Sequence, residues 1–234
     1  MQAFSFRRIA RIHTVFPDKF GIPRQSGLSD LPARIVFEPK FSVPEAFRGI
    51  EGYSHLWLIW LFSETSREGW SPTVRPPRLG GNKRVGVFAT RSPYRPNPVG
   101  LSVVKLERFS FTQKEGAVLY VSGADLMDGT PILDIKPYLP YADSCPGARG
   151  GFSVPETEGR LKVEFPSALL ERIPAELRGG LIDILEQDPR PGYQASADRV
   201  YHLRFWKAEI CFRAEGETLS VIDVTVRPTN ASDF

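Results

Sequence analysis

The chain has 234 residues, enough for one large domain or a domain with a small appendage, and its 41% hydrophobic and 24% charged content is ordinary for a globular protein. Twenty-one prolines and twenty glycines favour short strands and tight turns over long helices. The net charge is only +3, no charged-then-apolar leader is read at the start, and no apolar run approaches the roughly 18 residues of a membrane span.

In chain order, residues 4–12 alternate as a half-exposed strand, and 17–31, which holds FGIPRQSGL (20–28), reads as loop. Residues 34–37 form a short strand, and 44–49 a single helical turn opened by Pro44. LWLIWLF (56–62) is the strongest strand, followed by a proline-rich excursion over 64–82. RVGVFAT (84–90) and VGLSVVKL (99–106) read as strands flanking RSPYRPNPVGLS (91–102), and 117–123 and 131–135 as two more around an Asp128-Gly129 turn. Seven or more short strands without helical crossovers predict a mainly β fold, closed as a barrel over 1–143. No G-x-G-x-x-G follows a strand, so a Rossmann nucleotide domain is not indicated.

Composition shifts at SCPGARGGFSVPETEG (144–159), a linker by its glycines and prolines. Beyond it, 160–234 reads as a small α+β domain. Helical patterns cover 167–172 and 176–186, the second placing Leu177, Leu181, Ile184 and Leu185 on one face. Residues 200–212 and 219–226 follow as strands of a hairpin turning at 214–217. Cys145 and Cys211 have no metal-ligand spacing, and His13, His55 and His202 are scattered. A reducing cytoplasm and no metal are therefore expected.

Two stretches stand out chemically. Between residues 65 and 100, Arg67, Arg75, Arg78, Lys83, Arg84, Arg91 and Arg95 face the single acid Glu68, interleaved with prolines that fix their directions. Fixed guanidinium forks suit phosphate and carboxylate, so a polyanionic partner is favoured over plain solvation. In DLMDGTPILDIKPYLPY (125–141), Asp134 and Lys136 share parity along an extended run and point to one face. Asp128 reads first as a turn residue, His55 as a hydrogen-bonded structural residue, and Tyr141 as half-buried packing.

The blocks GWSPTVRPPRLGGNKRVGVFATRSPYRPNPVGLS (69–102) and DLMDGTPILDIKPYLPYAD (125–143) resemble the TsaA-like family, methyltransferases of threonylcarbamoyladenosine in tRNA. FGIPRQSGL, GIEGYSHLWLIWLF (49–62) and QDPRPGY (187–193) extend the resemblance over most of the chain. The resemblance implies a barrel enzyme that uses S-adenosylmethionine, forms homodimers with the cofactor near the subunit interface, and methylates the exocyclic amino nitrogen beside the anticodon of a threonine-type tRNA. It implies that Gln25, Ser26, Gly27, Phe62, Ser63, Arg91, Leu101, Asp125, Leu126, Met127 and Asp128 surround the cofactor, with Arg91 on its methionine carboxylate. Asn97 would orient the acceptor base, and Asp134, with Lys136 and Tyr138 beside it, would receive its proton. Arg75, Arg78, Lys83, Arg84 and Arg95 would hold the RNA backbone or the threonyl carboxylate. The chain departs from the family at Trp206-Lys207, in a strand where members often carry a His-Asp pair. The alternatives are a non-catalytic RNA-binding barrel and a small-molecule methyltransferase on the same fold.

Overall fold

Alternation builds the first domain. In the strand His55–Leu61, Leu56, Leu58 and Trp60 point inward and are buried, while His55, Trp57, Ile59 and Leu61 face outward. In the computed structural model, which describes residues 3–64, 69–76, 79, 81–153, 160–190 and 199–227, six such strands close a barrel. They are β1 (Ala10–His13), β2 (Pro32–Phe37), β3 (His55–Leu61), β6 (Val99–Thr112), β7 (Gly116–Ser122) and β8 (Pro131–Pro137). Their order is β1-β2-β7-β6-β3-β8, every pairing is antiparallel, and β8 returns to β1, leaving no open edge. The long β6 serves two neighbours: its first half pairs with β3 and its second with β7, with an irregularity between Leu106 and Arg108. Three single 3-10 turns over residues 39–52 lie against one end, where Phe47 packs between Phe37 and Phe109 at ring separations of 4.6 and 4.7 Å.

The short pair β4 (Thr73–Val74) and β5 (Val85–Gly86) stands outside the barrel. The helical turn α1 (Pro140–Asp143) follows β8, with Asp143 accepting from the Trp57 indole at 2.9 Å and the Leu139 amide at 2.8 Å.

The second domain joins β9 (Lys162–Glu164), α2 (Ser167–Leu170), α3 (Ala175–Glu186), β10 (Tyr201–Phe205), β11 (Ala208–Glu215) and β12 (Thr218–Val226). Its sheet runs β10-β11-β12-β9, with β9 parallel to β12. Leu177, Leu181, Ile184 and Leu185 are the buried face of α3, as the helical spacing requires. Their core also takes in Val15, Phe16 and Leu31 from the segment between β1 and β2. The two domains are thus packed through one strap of the first.

Several expectations are corrected. The strand over 4–12 shrinks to Ala10–His13, because β8 pairs β1 only at Ala10 and Arg11; Phe4 and Phe6 are exposed. The strand over 84–90 is only Val85–Gly86, after which the chain turns tightly at Val87–Ala89. Residues 200–212 are two strands, not one. Trp206 turns the chain at φ 52 with its amide on Val15 O at 2.6 Å, so Trp206-Lys207 is a tether in a turn, not part of a strand. Tyr141 is 87% exposed instead of half-buried, since α1 projects from the barrel wall. The scattered His202 meets Glu209 and Cys211, because the β10–β11 pairing sets His202 opposite Cys211. The Cys211 Sγ to His202 Nδ1 distance of 3.3 Å makes these two hydrogen-bonding partners on an outer sheet face. Both cysteines are free thiols.

Candidate functional site

The inward parity of β6 places Gly100, Ser102, Val104 and Leu106 inside the barrel, so one hydroxyl enters an otherwise apolar row. Ser102 is 1% exposed and fully engaged: it accepts from the Trp60 indole N–H at 3.0 Å and donates to Asp125 Oδ1 at 2.6 Å. Asp125 also accepts from its own amide and that of Ser26. Burial nevertheless pushes its carboxyl above the ordinary value, and the Ser102 hydrogen bond and nearby Arg91 charge only partly oppose this. Ser102 and Trp60 belong to the site although no motif marks them; the signal was a polar residue at an inward position of an alternating strand.

The loop that carries Gln25, Ser26 and Gly27 closes over this carboxylate. Arg91 donates to Gln25 Oε1, Ser26 Oγ accepts from the Val103 amide at 3.1 Å, and the Gly27 amide reaches Gly123 O at 2.9 Å. Gly27 and Gly123 lie at φ 76 and 81, and a Cβ on Gly123 would stand 3.4 Å from Gly27 Cα; both glycines let two backbones touch.

Phe62 and Ser63 follow β3 at the same end. The Phe62 amide donates to Pro98 O at 2.9 Å and its ring packs 4.2 Å from that of Trp60. The loop over 91–98 is braced by its own hydroxyls, since the Ser92 amide reaches Thr90 Oγ1 at 3.2 Å and the Tyr94 amide reaches Ser92 Oγ at 3.3 Å. Arg95 donates to Thr90 O at 3.1 Å, leaving Asn97 exposed at the tip.

Gln25, Ser26, Gly27, Phe62, Ser63, Arg91, Leu101 and Asp125 therefore gather at one end of the barrel. The other residues expected around the cofactor, Leu126, Met127 and Asp128, follow Asp125 directly in the chain. Leu126 is buried in the barrel core with its carbonyl taken by the Thr14 hydroxyl at 3.0 Å, and the Met127 carbonyl accepts from Thr130. Asp128 faces His13 at 3.2 Å and the Thr14 amide at 3.1 Å. Burial, the largest single influence, raises its pKa, but the His13 and Thr14 hydrogen bonds, the His13 charge and the Gly129 amide together hold the carboxyl below the ordinary value.

Asp134 and Lys136 form an ion pair at 3.1 Å. Register sets them on the outer wall: Leu101, Ile59 and Asp134 stand in one cross-strand row, and Val103, Trp57 and Lys136 in the next. Tyr138 continues the series, with ring centroids 6.2 Å from His55 and 5.9 Å from Trp57. Asp134 also edges a cavity of about 680 Å³ under the three 3-10 turns, lined by Phe37, Phe41, Phe47 and Tyr53. Of the basic residues, Arg84 donates to Thr73 Oγ1 at 2.9 Å, Arg75 and Lys83 are exposed near β4 and β5, and Arg78 lies outside the described residues.

A closed barrel with an arginine near a buried carboxylate at its rim, beside a proline-braced basic loop, is a β-barrel domain with a mixed-charge rim. The N-terminal domain profile of tRNA-methyltransferase O matches residues 11–144 and the TrmO C-terminal domain profile residues 158–227. The chain is 41% identical over 201 residues to the tRNA (adenine(37)-N6)-methyltransferase of Escherichia coli, covering 83% of this chain and 85% of that protein. A Pseudomonas aeruginosa relative whose name describes an S-adenosylmethionine-dependent methyltransferase is 41% identical over 227 residues, 92% of this chain and 95% of its own. A crystal structure of TrmO from Pseudomonas aeruginosa superposes with a TM-score of 0.77 at 34% identity, covering 97% of this chain and 99% of that one. The chain belongs to the tRNA-methyltransferase O family, and it is a tRNA methyltransferase.

Proposed function

We propose that the protein transfers a methyl group from S-adenosylmethionine to the exocyclic nitrogen of threonylcarbamoyladenosine beside the anticodon of a threonine-type tRNA. The observation that carries this reading is the cross-strand row Leu101–Ile59–Asp134. It puts a residue of the cofactor end and a carboxylate on one outer face, about 10 Å apart across two strand spacings.

The residues at the rim fit that cofactor. Arg91, with its guanidinium anchored on Gln25, offers a fork to an α-carboxylate, and Asp125 offers acceptor oxygens to hydroxyl or ammonium donors. Phe62 and Leu101 supply apolar surface. S-adenosylmethionine, when bound, supplies an electrophilic methyl group on a sulfonium whose charge is lost on transfer. The chain's task is then alignment, since a well-held in-line geometry supplies much of the rate. Asn97 orients the base through its amide. Asp134, paired with Lys136 at 3.1 Å, would receive the proton that the acceptor nitrogen loses when it takes the methyl group from the sulfonium. Arg75, Arg78, Lys83, Arg84 and Arg95 meet the phosphates or the threonyl carboxylate.

The same outer face supports a homodimer. Trp57, Ile59, Leu61, Leu101 and Val103 form an apolar surface there, and Leu101 is 52% exposed. A partner seated on it would close the cofactor site and remove Asp134 from bulk water. The family's work on tRNA agrees with a cytoplasmic location, and among the described residues no helix is long and apolar enough to cross a membrane.

The test is transfer of labelled methyl from S-adenosylmethionine to tRNA with and without the threonylcarbamoyl group. Transfer only to the modified tRNA is expected. Equal transfer to both would overturn the substrate assignment, and tRNA binding without cofactor binding would turn the reading toward an RNA-binding module.

A further inference from the structure

The block QDPRPGY beyond the linker is far in sequence from every residue of the site, yet its first residue touches the cofactor loop. Gln187 follows α3 and its Nε2 makes two hydrogen bonds, one to Leu28 O at 2.8 Å and one to Asp183 O at 2.9 Å. The second ties the amide to its own helix, so the first transmits the helix's position to the residue after Gly27. Three further contacts act on the same loop. Ser29 Oγ donates to Gly180 O at 3.2 Å, Arg24 donates to Asp188 O at 3.4 Å, and Leu31 fills the space that a side chain on Gly180 would take. A Cβ on Gly180 would stand 2.5 Å from Leu31 Cγ, so the helix backbone lies directly against the loop's Leu31 side chain.

On its other side the loop is fastened to the barrel by Gly27 on Gly123 and by Ser26 on Val103. It is therefore a short bridge held at both margins by different domains.

We infer that the C-terminal domain sets the position of the cofactor loop, with Gln187 as the positioning residue. Gln187 acts by fixing Leu28, and through the peptide chain Gln25 and Ser26, which meet Arg91 and Asp125. This rests on the reading that the 25–27 loop contacts S-adenosylmethionine.

The experiment compares the full-length wild type with Gln187→Met, which keeps length and loses the donor, and Gln187→Lys, which keeps a donor. Calorimetry with S-adenosylmethionine, steady-state kinetics and amide hydrogen exchange over residues 24–28 are read for each. Expected for Gln187→Met is a loss of cofactor affinity of about fivefold, the worth of one ordinary hydrogen bond. KM for the cofactor should rise with kcat little changed, and loop exchange should be faster. Gln187→Lys should recover most of the affinity. A folded Gln187→Met chain with wild-type affinity and wild-type loop exchange overturns the inference alone. A wild-type chain that gives no heat with S-adenosylmethionine overturns the cofactor reading and this inference together.

Discussion

The Ser102 hydroxyl donates to Asp125 at 2.6 Å while accepting from Trp60 at 3.0 Å, so one buried oxygen links the barrel core to the carboxylate at its rim. Ser102→Ala leaves both the indole N–H and part of the carboxylate without a partner. A loss of about 1–3 kcal/mol in denaturant unfolding is expected, the cost of an unsatisfied buried group. Weaker binding of S-adenosylmethionine should accompany it, measured by calorimetry.

Arg91→Lys keeps the positive charge and removes the planar fork that meets Gln25. Cofactor affinity should fall by about tenfold or more, because charge-assisted bonds are worth about 1.5–3 kcal/mol. The melting temperature should stay near the wild-type value, because the side chain is exposed. Arg91→Ala should abolish transfer in a folded protein.

Asp134→Asn should leave cofactor binding intact and lower kcat by about 10²- to 10⁴-fold, the usual range for a lost acid–base group. Wild-type kcat in this variant would remove Asp134 from the chemistry and leave geometry to do the work.

Gly100 faces the Trp60 indole, and a Cβ there would stand 2.2 Å from the ring. Gly100→Ala should destabilise the barrel by about 1–3 kcal/mol through overpacking, read as a lower denaturant midpoint. Gly179 on α3 has open space around its Cβ position, so Gly179→Ala is the control and should be neutral or mildly stabilising.

Asp125 and Asp128 respond to pH in opposite senses. The folded pKa of Asp128 lies below the ordinary 3.8, so its stabilisation is present above 3.8 and disappears as pH falls through the folded value. The stability difference between wild type and Asp128→Asn should shrink on acidification from pH 5, followed by thermal unfolding. The folded pKa of Asp125 lies above 3.8, so its contribution is full below 3.8 and is lost as pH rises through the folded value. Ionisation of Asp125 therefore costs stability, set against its use at the rim.

Much of this was legible in the sequence because period-two alternation is a local property. LWLIWLF, VGLSVVKL and the α3 leucines reveal their buried faces without knowledge of their partners. The segment 4–12 alternates as well, but its early residues find no neighbouring strand, and pairing is a property of the whole sheet. Trp206 could not be read as a turn because neither it nor Lys207 is a usual turn residue, and its positive φ is held by the tertiary bond to Val15. The resemblance supplied a residue set, and chain geometry adds detail to it: Arg91 lies near enough to Asp125 for its charge to be felt there, and Asp128 also contacts His13 and Thr14. Gln187 lay in a recognised block without an assigned task, since a bond across 159 residues leaves no trace in local pattern.

Val15, Phe16 and Leu31 lie in the core of the second domain although they belong to the segment between the first two strands of the barrel. A boundary drawn near residue 150 therefore separates two stretches of sequence but not two independent parcels of folding energy. Each half is the other's solvent shield. An exchange of C-terminal domains between relatives would succeed only if the strap over residues 14–31 travelled with the incoming domain, so the inherited unit is the later half together with a piece of the earlier one.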